Sequence, residues 1–133
     1  FEPPVMPMLA EMVLALAERM GASGDDAAAV GHRRGSSDAA RYEDAPSSLE
    51  ALVAELDRLG FDPTVVEGPD DATAVVGFAH CPFRVLAEAH PELVCALHRG
   101  LVEGFVDALG DTEVREFCTL VHRTPCQVAV ATR

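Results

Sequence analysis

Pro63-Thr64-Val65-Val66-Glu67-Gly68-Pro69-Asp70-Asp71-Ala72-Thr73-Ala74-Val75-Val76-Gly77-Phe78-Ala79 reads as two strands, Pro63 to Glu67 and Thr73 to Ala79, joined by a short turn. Both runs are rich in β-branched residues, and Gly68-Pro69-Asp70-Asp71 between them are turn formers. A second pair of runs, Glu113 to Val121 and Cys126 to Thr132, turns through His122-Arg123-Thr124-Pro125 and reads as another hairpin.

Helical patterns surround these strands. Before the first hairpin, Met8, Leu9, Met12, Val13, Leu16 and Met20 recur at three- and four-residue spacing from Pro7 to Met20, with Leu14 and Ala17 widening the face and Gly21 as the stop. A helix this apolar must be covered on more than one side, by its own domain or by a second copy. Asp25 to Tyr42 is weakly helical and polar, interrupted by Gly31 and Gly35. Ser47 or Ser48 caps an amphipathic helix carrying Leu49, Leu52, Val53, Leu56 and Leu59, which Gly60 ends. Between the hairpins, Pro82 opens a short helix and His90-Pro91 breaks it, because proline disfavours helical geometry in the residue before it. Pro91 then starts a long helix to about Leu109. Along it Val94, Leu97, Leu101, Phe105 and Ala108 form one stripe, and Val102 and Val106 a second flank. The expected fold is α+β: three N-terminal helices followed by ββαββ, with an antiparallel sheet covered by helices largely on one face.

At 133 residues and 49% hydrophobic content, residues 1–133 suit a single domain. The net charge of -12 opposes approach to phosphate backbones and to anionic membrane surfaces, and the ten arginines form no basic stripe. No apolar run is long enough to span a bilayer, and Phe1-Glu2-Pro3-Pro4 lacks the regions of a signal peptide, which reads as cytoplasmic. No phosphate loop, HExxH, nucleophile elbow or paired C-x-x-C is present, so no enzyme is expected.

The chemistry lies in the back half. Cys81-Pro82-Phe83, then His90-Pro91-Glu92-Leu93-Val94-Cys95-Ala96-Leu97-His98, then Thr124-Pro125-Cys126 place cysteines at element boundaries or in first turns. With Cys81 at an N-cap and Cys95 early in its helix, unpaired amides and the helix dipole favour the thiolate that binds metal. His98, three residues after Cys95, projects from nearly the same face and is a candidate neighbouring ligand. By spacing alone these thiols are either ligands or buried small apolar groups.

From Phe78 to Val130, with the preceding helices, the chain resembles the C-terminal domain of the iron–sulfur cluster biosynthesis repressors and their broader winged-helix relatives. In that family a Cys-Pro-Phe/Tyr segment, a His-Pro-Glu-Leu segment followed by cysteine, and a late cysteine opening the last strand recur in this order; Cys81, Cys95 and Cys126 match those positions. The resemblance implies a sensor and dimerisation domain whose winged helix-turn-helix DNA-binding domain precedes it outside this chain. It also implies a homodimer and an iron–sulfur cluster held by three cysteines with a different fourth ligand. Zinc is the alternative metal, and Cys118 falls outside the pattern.

Two other functions compete with this. The same fold can sense a small organic ligand in an apolar pocket between the long helix and the sheet, with the cysteines as packing residues. A cysteine enzyme is the third, with Cys81 beside His80 as its only candidate pair. In the final hairpin, a His122 to Pro125 loop pairs Val121 with Cys126 and puts Phe117 on the Cys126 face and Cys118 on the other.

Overall fold

The computed structural model describes residues 5–68, 70–118 and 126–132, with the Cys118 side chain excepted. Phe1 to Pro4, Pro69, the expected turn at His122 to Pro125 and the neighbouring Thr119 to Val121 lie outside the described residues. Among the described residues five α-helices and four strands follow one another as α1 (Val5–Arg19), α2 (Gly24–Asp38), a 3₁₀ turn (Ala39–Tyr42), α3 (Ser48–Leu59), β1 (Pro63–Glu67), β2 (Thr73–Phe78), α4 (Arg84–Ala89), α5 (Pro91–Leu109), β3 (Thr112–Cys118) and β4 (Gln127–Thr132). The chain is α+β with one antiparallel sheet in the order β1-β2-β4-β3.

Local chemistry explains most boundaries. Ser23 and Asp26 form a reciprocal capping box at the start of α2. The Ser47 hydroxyl accepts from the Glu50 N–H at the start of α3, and Gly60 ends that helix at φ 94°. Two helices rather than one stand between the hairpins. Pro91 holds His90 at φ -134°, ψ 62°, which separates α4 from α5. α4 also starts later than expected: Pro82 and Phe83 form a turn, Phe83 stands at the N-cap, and Cys81, before the turn, accepts the Arg84 N–H on its carbonyl.

The core joins three elements. Leu52 and Leu56 of α3, Val102, Phe105 and Val106 of α5, and Val76, Val128 and Val130 of the sheet interdigitate with Phe61. In α5 the deepest residues are therefore those of the expected second flank, while Ala108 of the main stripe is exposed.

α2 packs on the other side of α5, and the approach is backbone to backbone. A Cβ at Gly31 would lie 2.2 Å from the Leu97 carbonyl oxygen, at Gly35 2.0 Å from that of Leu101, at Gly100 2.1 Å from that of Ala28, and at Gly104 2.0 Å from that of His32. Gly31 and Gly35 look like interruptions in the sequence. They are the contact points of the helix pair, reciprocated by Gly100 and Gly104 four residues apart on α5.

α1 is the outermost helix. Leu14 and Ala17 rest on Ala27, Leu93 and Ala96, and the Glu18 carboxylate meets the His90 ring. No residue of α1 is buried. Among the described residues no helix is long and apolar enough to cross a membrane.

Candidate functional site

His98 projects from α5 into a box of phenylalanines. Its ring stacks on Phe61 at 4.3 Å and 17°, meets Phe78 at 5.0 Å, and takes Phe117 and Phe83 edge-on at 5.0 and 6.0 Å. Only 3% of the residue is exposed, and Nε2 has no hydrogen-bond partner. Burial pushes its pKa down to about 3, so the imidazole is neutral at pH 7 and offers a lone pair on one nitrogen.

Two of the thiols flank one end of the sheet. Cys126 is buried just before β4, and its carbonyl accepts the Phe78 N–H at 3.0 Å. Cys81 follows β2 by three residues, is half-buried, and packs with Phe78, Phe83 and Phe117 against the core. Cys95 is half-buried on α5, one turn before His98 and about 60° round the helix from it at 100° per residue. The fold thus places Cys81 and Cys126 in the core cluster whose phenylalanines enclose His98, and sets Cys95 three residues before that ring on α5. Among the described residues no three His, Cys, Asp or Glu side chains converge closely enough to hold a metal ion.

The expected thiolate at Cys81 is corrected by its environment. Lacking an N-cap position, it is governed first by desolvation, which pushes the thiol up; the Phe83 backbone N–H and the charge of Arg84 pull the other way. His80 is exposed while Cys81 packs on the core.

In the last hairpin Phe117 pairs with Val128 and Cys118 with Gln127. The register is two residues away from a Val121–Cys126 pairing. An even slip preserves the alternation of faces, so Phe117 keeps the Val128 side. A bulge between Val114 and Glu116 adds a further shift toward the other end of β3.

Two features have no counterpart in the sequence motifs. The box draws Phe61, Phe78, Phe83 and Phe117 from four separate segments, and only the Phe after Cys81-Pro82 carries a local signal. The second is a cavity. Between α5 and the sheet, where the organic-ligand alternative puts an apolar pocket, Val102, Phe105, Val106, Val128 and Val130 pack together in the core. An apolar cavity of about 410 Å³ opens instead between α1, α4 and α5. Phe83 belongs to both places, lining the cavity and touching the His98 ring.

No family model, curated protein or solved structure matches this chain.

Proposed function

We propose that this chain is the effector-sensing and dimerisation domain of a bacterial transcriptional regulator, acting in the cytoplasm and without catalysis. Its effector is an iron–sulfur cluster or a metal ion held at the end of the sheet by Cys81, Cys95 and Cys126, with His98 as the fourth ligand. The observation that carries this is the His98 Nε2, buried without a partner inside a phenylalanine box whose rings belong to the same core cluster as Cys81 and Cys126. A polar atom in that position costs stability unless something bonds to it.

The donor set fits such a group in kind. Three thiols and a neutral imidazole are the ligands of zinc and, with thiolates dominant, of iron–sulfur clusters. A bound ion would supply direct bonds from β2 and β4 to α5. Closure of the ligands around it would take a proton from the burial-raised Cys81 thiol, so binding strengthens as pH rises. α5 carries any movement of His98 to α2 through the glycine contacts, because backbones that touch cannot slide independently.

DNA contact belongs to a segment outside this chain, since a net charge of -12 opposes it here. The partner surface is the outer stripe of α1. Val5, Met8, Leu9, Met12, Leu16 and Met20 are each about half exposed or more, and together offer on the order of 600 Å² of apolar surface, near the per-partner share of a standard interface.

The test is iron, zinc and sulfide analysis with an absorption spectrum, on protein purified without oxygen, across the four single Cys→Ser variants. Cys81→Ser, Cys95→Ser and Cys126→Ser are expected to lose most of the bound metal, and Cys118→Ser to keep it. Equal loss from Cys118→Ser, or protein that carries no metal at all, overturns the ligand assignment.

A further inference from the structure

The geometry points to a second binding site, in the cavity between α1, α4 and α5, for an uncharged hydrophobic small molecule. Met6, Leu9 and Val13 of α1 face Phe83, Leu86 and Leu97 across about 410 Å³, and every lining residue is apolar. That volume lies in the range of small-molecule pockets, roughly 300–1,000 Å³. The wall is built but not filled: Met6 and Val13 remain 66% and 55% exposed although they line it.

Size and charge select the occupant. One turn of a helix with its side chains, 10–12 Å across and 5.4 Å long, fills about 400–600 Å³. A single turn of a second α1 would therefore take up the whole space or overfill it, whereas a fused-ring compound or a medium alkyl chain enters it whole. The net charge of -12 repels anionic amphiphiles. Among the described residues no carboxylate lines the cavity to pair with a cation, so an uncharged ligand is what these walls match.

The cavity wall and the dimer stripe adjoin on α1 and share Leu9, but their far edges lie on different faces. At 100° per residue, Ala10 and Leu14 of the cavity wall lie at least 120° from Met8 and Met12 of the outer stripe. Variants at those far edges can therefore separate the two surfaces, and since no thiol among the described residues lines the cavity the site does not depend on the metal assignment.

The probe is Nile red, an uncharged dye, titrated into the whole chain and into its Cys81→Ser variant with fluorescence as the readout. Saturable micromolar binding of one dye per chain is expected in both, which separates this site from the metal site. Ala10→Trp fills the cavity and Val13→Glu charges its exposed wall. Each is expected to weaken the dye at least tenfold with the far-UV circular dichroism unchanged, and Met12→Glu on the outer stripe is expected to leave it within twofold. The Val13 variant keeps the test decisive should Ala10→Trp unfold. Dye binding that survives Val13→Glu, that disappears with Met12→Glu, or that does not saturate overturns the proposal.

Discussion

α1 and α5 are the two most apolar helices of this chain, and they end in opposite situations. α5 buries nine of its residues between α2 and the sheet, whereas α1 buries none. The difference does not lie in the strength of the apolar pattern, since Met8, Met12 and Leu16 recur at helical spacing as cleanly as any stripe in α5. It lies in what each helix lets its neighbours do. α5 carries Gly100 and Gly104, which admit α2 to backbone contact, while α1 rests on the body through Leu14, Ala17 and the Glu18–His90 pair and leaves a cavity beside them. Long flexible methionines on α1 suit a surface that changes partner, and small residues on α5 suit one that does not.

The sharpest way to break this contrast is to give α5 a side chain where it has none. Gly104→Ala puts a methyl group about 2.0 Å from the His32 carbonyl oxygen, so the helices must part; a loss of more than about 3 kcal/mol is expected in urea unfolding. A melting curve unchanged by this methyl group would mean that the pair is not in backbone contact.

On α1 the matching experiment is Met12→Glu, at a residue 54% exposed. Protomer stability should stay within about 0.5 kcal/mol, as for surface positions generally. In the proposed dimer, affinity should fall about 100-fold, because two-fold symmetry would place the new charge on both sides of one apolar interface. Sedimentation over a concentration series reads this, and a dimer that ignores the charge would move the interface elsewhere.

The third experiment concerns the titratable ring that α5 buries. With a pKa of about 3 folded and an ordinary 6.5 unfolded, His98 binds fewer protons in the folded state at every pH between those values. Stability from this group is therefore full above pH 6.5 and is lost as pH falls toward 3. Between pH 6.5 and 5 the loss should be about 2 kcal/mol, at 1.36 kcal/mol per pH unit. His98→Phe should remove that part of the slope; identical pH profiles for the two proteins would mean that the ring is protonated or solvated in the native state.

Much of the architecture is legible in the residues taken one stretch at a time. β1 and α3, and the long α5 with its Gly110 stop, stand where turn formers, caps and periodicity put them, because those signals act over a few residues of chain. The same holds for the placing of Cys81, Cys95 and Cys126 near element ends. Tertiary structure alone decided the rest. It turned the Val102–Val106 flank of α5 to the sheet, made contact points of Gly31 and Gly35, and closed four distant phenylalanines around His98. It also raised the Cys81 thiol that local geometry alone would lower. In each case the deciding quantity is distance to a group far away in sequence, whether a carbonyl, a ring or excluded water. Periodicity and capping carry no information about it, since they record only which face of an element is apolar and not what will be pressed against it.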